Sequence, residues 1–159
     1  MKIEMSVVID RPVDDVWNFM TDWSNFAKMN PVILEARQTS TGPIGIGTTI
    51  EARLRNPNII QRDTNIRVIE YEPKRRFAFE HTTGTLKGAR TTFSVESIDG
   101  KSRLTLATDA KLSGFFRLVG PLVAGRAKRE VGEEISNVKR IMESEAQSQS
   151  MPSSHQVQH

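Results

Sequence analysis

The residue best suited to chemistry in this sequence is His81, in the stretch RRFAFEHTTGT that begins at residue 75. Phe77, Phe79 and His81 alternate with two other residues, so a strand here would turn all three toward the same side. An imidazole, with an ordinary pKa of about 6.5, is the usual choice for moving a proton at neutral pH. His81 is therefore the candidate acid–base residue.

Other catalytic or metal-binding arrangements lack their required residues. No G-x-S-x-G elbow is present, and residues 45–49, GIGTT, lead into a strand pattern where a phosphate-cradling loop would open a helix. A metal site would need a second ligand beside His81, but the chain has no cysteine and Glu80 should point to the opposite face. We predict neither a metal nor a cofactor.

A plainer interpretation of His81 is that it positions a ligand. One polar group in a mostly apolar pocket normally fixes the orientation of what binds there. Thr91, Thr108 or a water molecule could satisfy the imidazole, which would then hold one polar atom of a ligand without transferring a proton. We favour this role, and acid–base catalysis by His81 stays open as the alternative.

Length and composition predict one soluble domain of 159 residues. No stretch approaches the roughly 20 apolar residues that span a bilayer. The N-terminus, MKIEMSVVID, alternates and lacks the apolar block of a signal peptide. We therefore expect a cytoplasmic protein without integral membrane association.

The charge pattern argues against a nucleic-acid partner. The net charge is only +3, and the basic runs at 74–76 and 126–129 carry no interleaved aromatic residues, which a single-strand-binding surface would have. Such runs are usually solvated faces.

The N-terminal region predicts one strand followed by two short helices. Residues 2–9 alternate as a strand, and Pro12 suits the first position of a helix whose apolar spacing continues to Met20. Asp22 can cap a second short helix, which should stop before Pro31 because the residue preceding a proline avoids the helical conformation.

From residue 32 to about 112 the apolar period is two, and short turns such as Asp99-Gly100 separate six strands. Consecutive strands with short turns predict an antiparallel meander. Helical spacing returns over 122–146, after Gly120-Pro121. The polar residues 147–159 have no periodicity and are predicted to form a disordered tail.

The order of these elements, together with several segments, resembles the START-like or SRPBCC superfamily, in its polyketide cyclase/dehydrase and lipid-transport branch. The segments are IDRPVDDVWNFMTDWSNFAKMNP, GPIGIGTTIEAR, VIEYEPKRRFAFE and FRLVGPLVAGRAKREVGEEISNVKRIME. This resemblance implies an α+β helix-grip fold, in which a curved antiparallel seven-stranded sheet wraps around a long C-terminal helix, with two short helices after strand 1. The domain would span residues 1–146.

The resemblance also implies a cavity between sheet and helix, and such ligand cavities typically measure roughly 300 to 1,000 Å³. The plainer alternative is that the inward residues pack together as core. The predicted lining residues are Phe77, Phe79, His81, Thr91, Phe93, Leu104, Leu106 and Thr108 from strands, Phe26 and Met29 from the second short helix, and Phe116, Val119, Leu122 and Val123 on the side of the long helix.

We therefore expect a protein that binds or carries a small hydrophobic molecule, such as a lipid, an isoprenoid or a polyketide, without catalysis. The first alternative is an enzyme resembling the polyketide cyclases, with His81 as acid or base. The second is a partner-binding module that uses the short helices or residues 126–129. A homodimer formed through the edge at residues 33–38 is left open.

Overall fold

The computed structural model describes residues 1–55, 63–84, 86–110 and 120–150; at residue 123 and at 147–150 it describes the backbone alone. The elements in these ranges are β1 (Lys2–Ile9), α1 (Val13–Met20), a 3₁₀ turn (Trp23–Asn25), α2 (Phe26–Met29), β2 (Ile33–Gln38), β3 (Thr49–Leu54), β4 (Thr64–Glu72), β5 (Arg76–His81), β6 (Arg90–Ile98), β7 (Lys101–Asp109) and α3 (Gly120–Ser150).

All seven strands form one antiparallel sheet in the order β1-β7-β6-β5-β4-β3-β2. The hairpin between β6 and β7 turns at Asp99 and Gly100, both with positive φ, as the predicted two-residue turn requires. A bulge between Val68 and Glu70 adds local twist to β4. The sheet curls into a half-barrel beside the long helix, which confirms the predicted α+β helix-grip fold.

Helix α1 closes one end of the sheet with aromatic contacts. Its apolar spacing buries Trp17, whose ring meets Phe77 edge-on at a centroid distance of 5.6 Å. Phe77 in turn stacks on Phe93 at 5.1 Å. Aromatic pairs of this kind add roughly 0.5–1.5 kcal/mol beyond the area they bury. These aromatic contacts hold α1 against the sheet. The 3₁₀ turn is stabilised locally by Asp22, whose carboxylate accepts a hydrogen bond from the Ser24 N–H at 3.1 Å.

Helix α3 is fixed in rotation by hydrogen bonds on two sides. The Arg11 guanidinium donates to the Met142 carbonyl at 2.8 Å, and the Asn137 amide donates to the Met29 carbonyl at 2.9 Å. These bonds tie the helix to the β1–α1 connection and to α2. The face turned to the sheet carries the buried residues Ile135, Val138 and Met142.

The long helix exceeds its predicted limits at both ends. It begins at Gly120, with Pro121 in the first turn, where a missing N–H costs no hydrogen bond. It continues to Ser150, so the first four residues of the predicted tail are helical. The sequence contains no proline between Pro121 and Pro152, so no residue in this segment interrupts the helical hydrogen bonds. Residues 151–159 lie outside the described part of the chain, and the predicted domain boundary stays a prediction.

The outer face of the sheet is covered by ion pairs between strands. Glu70 on β4 pairs with Arg90 on β6 and with Arg76 on β5. Arg67 and Glu80 pair between β4 and β5. Alternation therefore places the charged side chains outside and leaves the inner face for packing.

We predict that Phe77→Ala lowers the free energy of unfolding by about 3–5 kcal/mol, because it removes a buried ring that contacts both helix and sheet. Urea unfolding would measure the loss. The control is Ile46→Ala, at a side chain that is 74% exposed, and we expect that change to stay within about 0.5 kcal/mol of the wild type. Equal effects of the two substitutions would contradict the assigned core.

Candidate functional site

The register of the sheet arranges its inward residues in rows that cross neighbouring strands. The aromatic row comprises Met5, Leu106, Phe93, Phe77 and Tyr71. The threonine row comprises Ile3, Thr108, Thr91, Phe79 and Val68. The histidine row comprises His81, Ile66 and Ile50.

The end of the interior at the aromatic row is filled. The space between α1 and the sheet holds no volume even for a water molecule. Its walls are Val16, Trp17, Met20, Phe77, Phe93, Ser94, Val95 and Leu104. Of the predicted lining residues, those in this group pack in the structure as ordinary core.

Polar side chains are found on the concave face toward the histidine row. The hydroxyls of Thr91 and Thr108 lie 3.5 Å apart across β6 and β7. One row further, His81 is half-buried, and its ring meets the Phe79 ring at a centroid distance of 5.8 Å. The interior therefore changes along the strands from wholly apolar to apolar with isolated polar atoms.

His81 is held by hydrogen bonds from two directions. Its backbone N–H donates to the Ala89 carbonyl at 2.9 Å, and its Nδ1 lies 3.1 Å from the Thr64 hydroxyl on β4. Burial lowers the pKa of the imidazole below its usual value of 6.5. The ring is thus neutral at physiological pH and can accept or donate a hydrogen bond without carrying charge.

A second ionisable group with a shifted pKa, the half-buried Glu134 on α3, was not among the predicted site residues. Burial, and secondarily the charge of Glu130, raise its carboxyl pKa from the usual 4.5 to about 7. The position of Glu134 in the sequence indicates that it lies on the apolar side of the helix. Glu134 follows Val131 by three residues and precedes Val138 by four, which places it along the apolar stripe of the helix.

Glu134 and His81 belong to different parts of the fold. A Cβ on Gly132, two residues before Glu134, would lie 3.5 Å from the Met5 side chain, so this part of α3 passes the aromatic row. His81 lies two rows away. Among the described residues, no charged group contributes to the shifted pKa of His81.

Apart from Leu122, the predicted lining residues divide into three groups. The buried ones are Phe26, Met29, Phe77, Phe79, Thr91, Phe93, Leu104 and Leu106. His81 and Thr108 are half-buried. Phe116, Val119 and the side chain of Val123 lie outside the described part of the chain.

Leu122 differs from its predicted position, since its side chain is 78% exposed. The reason is helical phase. Leu122 precedes the inward residue Val131 by nine residues, about two and a half turns, and so lies on the opposite face of α3.

The described residues contain no group of three or more metal-ligating side chains that could hold an ion. No helix in the same ranges is long and apolar enough to cross a membrane.

A polar cleft of about 320 Å³ lies on the outer face of the sheet, away from His81. Arginines contribute much of its wall, but each has an acidic partner: Arg75 pairs with Glu72, Arg76 with Glu70 and Arg103 with Glu96. Because these charges are compensated, the cleft lacks the free positive field that would attract an anion.

We predict that Glu134→Gln stabilises the protein at about pH 8 but has little effect at about pH 5. The folded protein binds the proton more tightly than the unfolded chain, so wild-type stability falls as the pH rises from 4.5 toward 7. A tenfold change in proton affinity is worth about 1.4 kcal/mol, and the half-buried side chain keeps part of its hydration. We therefore expect a gain of about 2 kcal/mol at the higher pH, measured by urea unfolding.

The matched control is Glu133→Gln, at the exposed neighbouring position of the same helix. This variant should follow the wild type across the pH range. If Glu134→Gln and Glu133→Gln behave alike, the pKa of Glu134 is not raised in the folded protein.

Comparison with protein-family models gives a match over most of the chain. The family model described as polyketide cyclase / dehydrase and lipid transport matches residues 1–143. Curated proteins give no significant match.

Solved structures show the same fold at low sequence identity. The Zhui aromatase/cyclase from Streptomyces sp. R1128 is 14% identical, with a TM-score of 0.74 over 96% of this chain and 99% of that one. The protein TTHA0849 from Thermus thermophilus is 13% identical, with a TM-score of 0.72 over 88% of this chain and 95% of that one. The Polyketide_cyc-like protein Cgl2372 from Corynebacterium glutamicum is 22% identical, with a TM-score of 0.61 over 96% and 97% of the two chains.

The likeness to these structures concerns the fold, whereas the family model matches residues 1–143 of the sequence itself. The chain therefore belongs to the polyketide cyclase / dehydrase and lipid transport family.

Proposed function

We propose that the protein binds a small hydrophobic molecule, such as a lipid, an isoprenoid or a polyketide, between α3 and the sheet at the end where the histidine row lies. The observation that carries this proposal is the gradient along the interior. The α1 end is closed by packed aromatic rings, whereas half-buried polar side chains, His81 and Thr108, lie on the same concave face at the other end. Apolar walls with a few oriented polar groups are typical of small-molecule sites.

The ionisable groups inside the fold favour a neutral ligand. Burial lowers the pKa of the His81 imidazole and raises that of the Glu134 carboxyl, so both shifts favour the uncharged form. An interior that disfavours its own charges would also penalise a charged ligand, because the same loss of hydration applies to it.

Family membership supports the same class of ligand. The family description joins polyketide chemistry with lipid transport, and the Zhui protein is an aromatase/cyclase. Polyketides and lipids share extended apolar surface with few polar atoms, which suits an apolar concave face that carries isolated polar side chains.

We predict that freshly purified protein carries an apolar molecule, which native mass spectrometry or organic extraction would detect. The emptied protein should bind the neutral fluorescent probe N-phenyl-1-naphthylamine at one saturable site. The change Thr108→Trp places a large side chain on the concave face, so the probe should bind at least about tenfold more weakly.

The control for that substitution is Thr105→Trp, on the same strand with the side chain on the outer face. Both threonines are half-buried, so the added bulk is comparable and only the face differs. Probe binding that both variants lose equally, or that the wild type never shows, would refute a ligand site on the concave face.

A second candidate function is a cyclase reaction that uses His81 as the acid or base. The specific observation in its favour is the neutral imidazole, which is the form that can remove a proton from an acidic C–H or O–H group. In this case the pocket would fold a poly-ketone chain and His81 would assist its enolisation.

His81→Phe separates the two functions. A carrier should keep binding the apolar probe with at most a modest loss of affinity, because the apolar wall remains. A cyclase should lose turnover of an aromatisable poly-ketone substrate in the same variant. Turnover that persists at the wild-type rate would exclude an acid–base role for His81.

A further inference from the structure

The two hydrogen-bonding neighbours of the Thr64 hydroxyl favour one tautomer of His81. The Thr64 hydroxyl lies 3.0 Å from the Thr83 carbonyl oxygen and 3.1 Å from His81 Nδ1. A carbonyl oxygen only accepts, so the single hydroxyl proton of Thr64 goes to Thr83. With its proton engaged in this way, the hydroxyl can only accept from His81, which makes Nδ1 the donating nitrogen.

This arrangement is held by backbone hydrogen bonds on both strands. The Asn65 N–H donates to the Thr83 hydroxyl at 2.8 Å, and the Thr82 N–H donates to the Asn65 carbonyl at 2.8 Å. On the other side, the Gly88 N–H donates to the His81 carbonyl at 2.8 Å. Because β4 and β5 are paired here, Thr64 and His81 cannot move apart without breaking the ladder.

We propose that Thr64 is a positioning residue that holds His81 in the Nδ1–H tautomer, so that Nε2 accepts a hydrogen bond from a hydroxyl group of the bound ligand. The inference rests on the proposed binding function and deepens it. It narrows the ligand class to apolar alcohols and phenols, including enolised polyketides, and disfavours molecules whose only polar atoms are ether or carbonyl oxygens.

The physical reason for this selectivity is the direction of the hydrogen bond. The unprotonated Nε2 presents a lone pair, which pairs with an O–H donor but not with the lone pairs of a ketone or an ether. Burial keeps the imidazole neutral, so it does not gain a second N–H that would let it donate from Nε2. A ligand that covers Nε2 displaces water from it, so an analogue without a hydrogen-bond donor leaves this nitrogen unpaired and binds more weakly.

The tautomer can be measured without any ligand. We would record the nitrogen chemical shifts of the His81 ring by ¹⁵N NMR at about pH 7.5, where the imidazole is neutral. His155 and His159 are the other two histidines, and the spectrum of His81→Phe identifies the signals of interest. We expect a protonated Nδ1 and an unprotonated Nε2.

Two substitutions test the role of Thr64. Thr64→Ser keeps the hydroxyl and should keep the Nδ1–H tautomer. Thr64→Val keeps the shape and the strand preference but removes the acceptor, so the Nε2–H tautomer should gain population. A purely structural role for Thr64 would leave the tautomer unchanged in Thr64→Val.

The ligand class is tested with a matched pair of probes, 2-naphthol and its methyl ether 2-methoxynaphthalene. The wild type and Thr64→Ser should bind 2-naphthol about tenfold more tightly than the ether, as one satisfied hydrogen bond would give. Thr64→Val and His81→Phe should lose most of that preference.

The possible outcomes test the tautomer, the ligand class and the proposed binding function separately. A protonated Nε2 in the wild type, or an unchanged tautomer in Thr64→Val, overturns the inference even if the protein binds both probes. Equal wild-type affinity for the two probes overturns the ligand class. No saturable binding of either probe overturns the proposed function, whereas the tautomer is decided by the NMR spectrum alone.

Discussion

The alternation of apolar and polar residues along seven paired strands is the constraint on which the rest of this structure depends. A slip of one residue in any strand would bring charged side chains of the outer face into the interior, at a large desolvation cost. The register is therefore strongly specified. Once it is set, the concave face is a continuous apolar surface that the helices must cover. Arg11 and Asn137 then determine which face of α3 does so.

The interior contains two ionisable groups whose effects on stability oppose each other. Because the pKa of His81 is lower in the folded protein, the unfolded chain takes up the proton first. The free energy of unfolding therefore decreases as the pH falls below 6.5. The elevated pKa of Glu134 works the other way, since lower pH relieves the cost of its buried charge. Below about pH 6.5 the two effects therefore partly cancel. A flat pH profile of the wild type would thus conceal two residues whose pKa values are shifted.

Much of the fold follows from periodicity in the sequence, but the polar details of the interior do not. Period two in the strands was enough to place Phe77, Phe79 and Phe93 inside. The partnership of Thr64 with His81 depends on register across two strands and on the bulge after Val68, which no single-strand pattern encodes. Leu122 was misplaced because it lies nine residues before Val131, about two and a half turns, and therefore on the opposite face of α3. Glu134 was missed for a different reason. It is a charged residue that lies within an apolar stripe, and its partial burial cannot be recognised from its residue type.

The hydrogen bonds of α3 have a consequence for its local stability. Its second half is anchored by Asn137, Lys139 and Met142 to three separate segments of the chain, whereas the described side chains of residues 120–130 are exposed or only half-buried. Local unfolding of the helix therefore costs less at its beginning than at its middle, and slow amide exchange should be confined to the anchored half. The first turns of α3 are therefore the part of the helix that can move away from the sheet at the lowest cost in free energy.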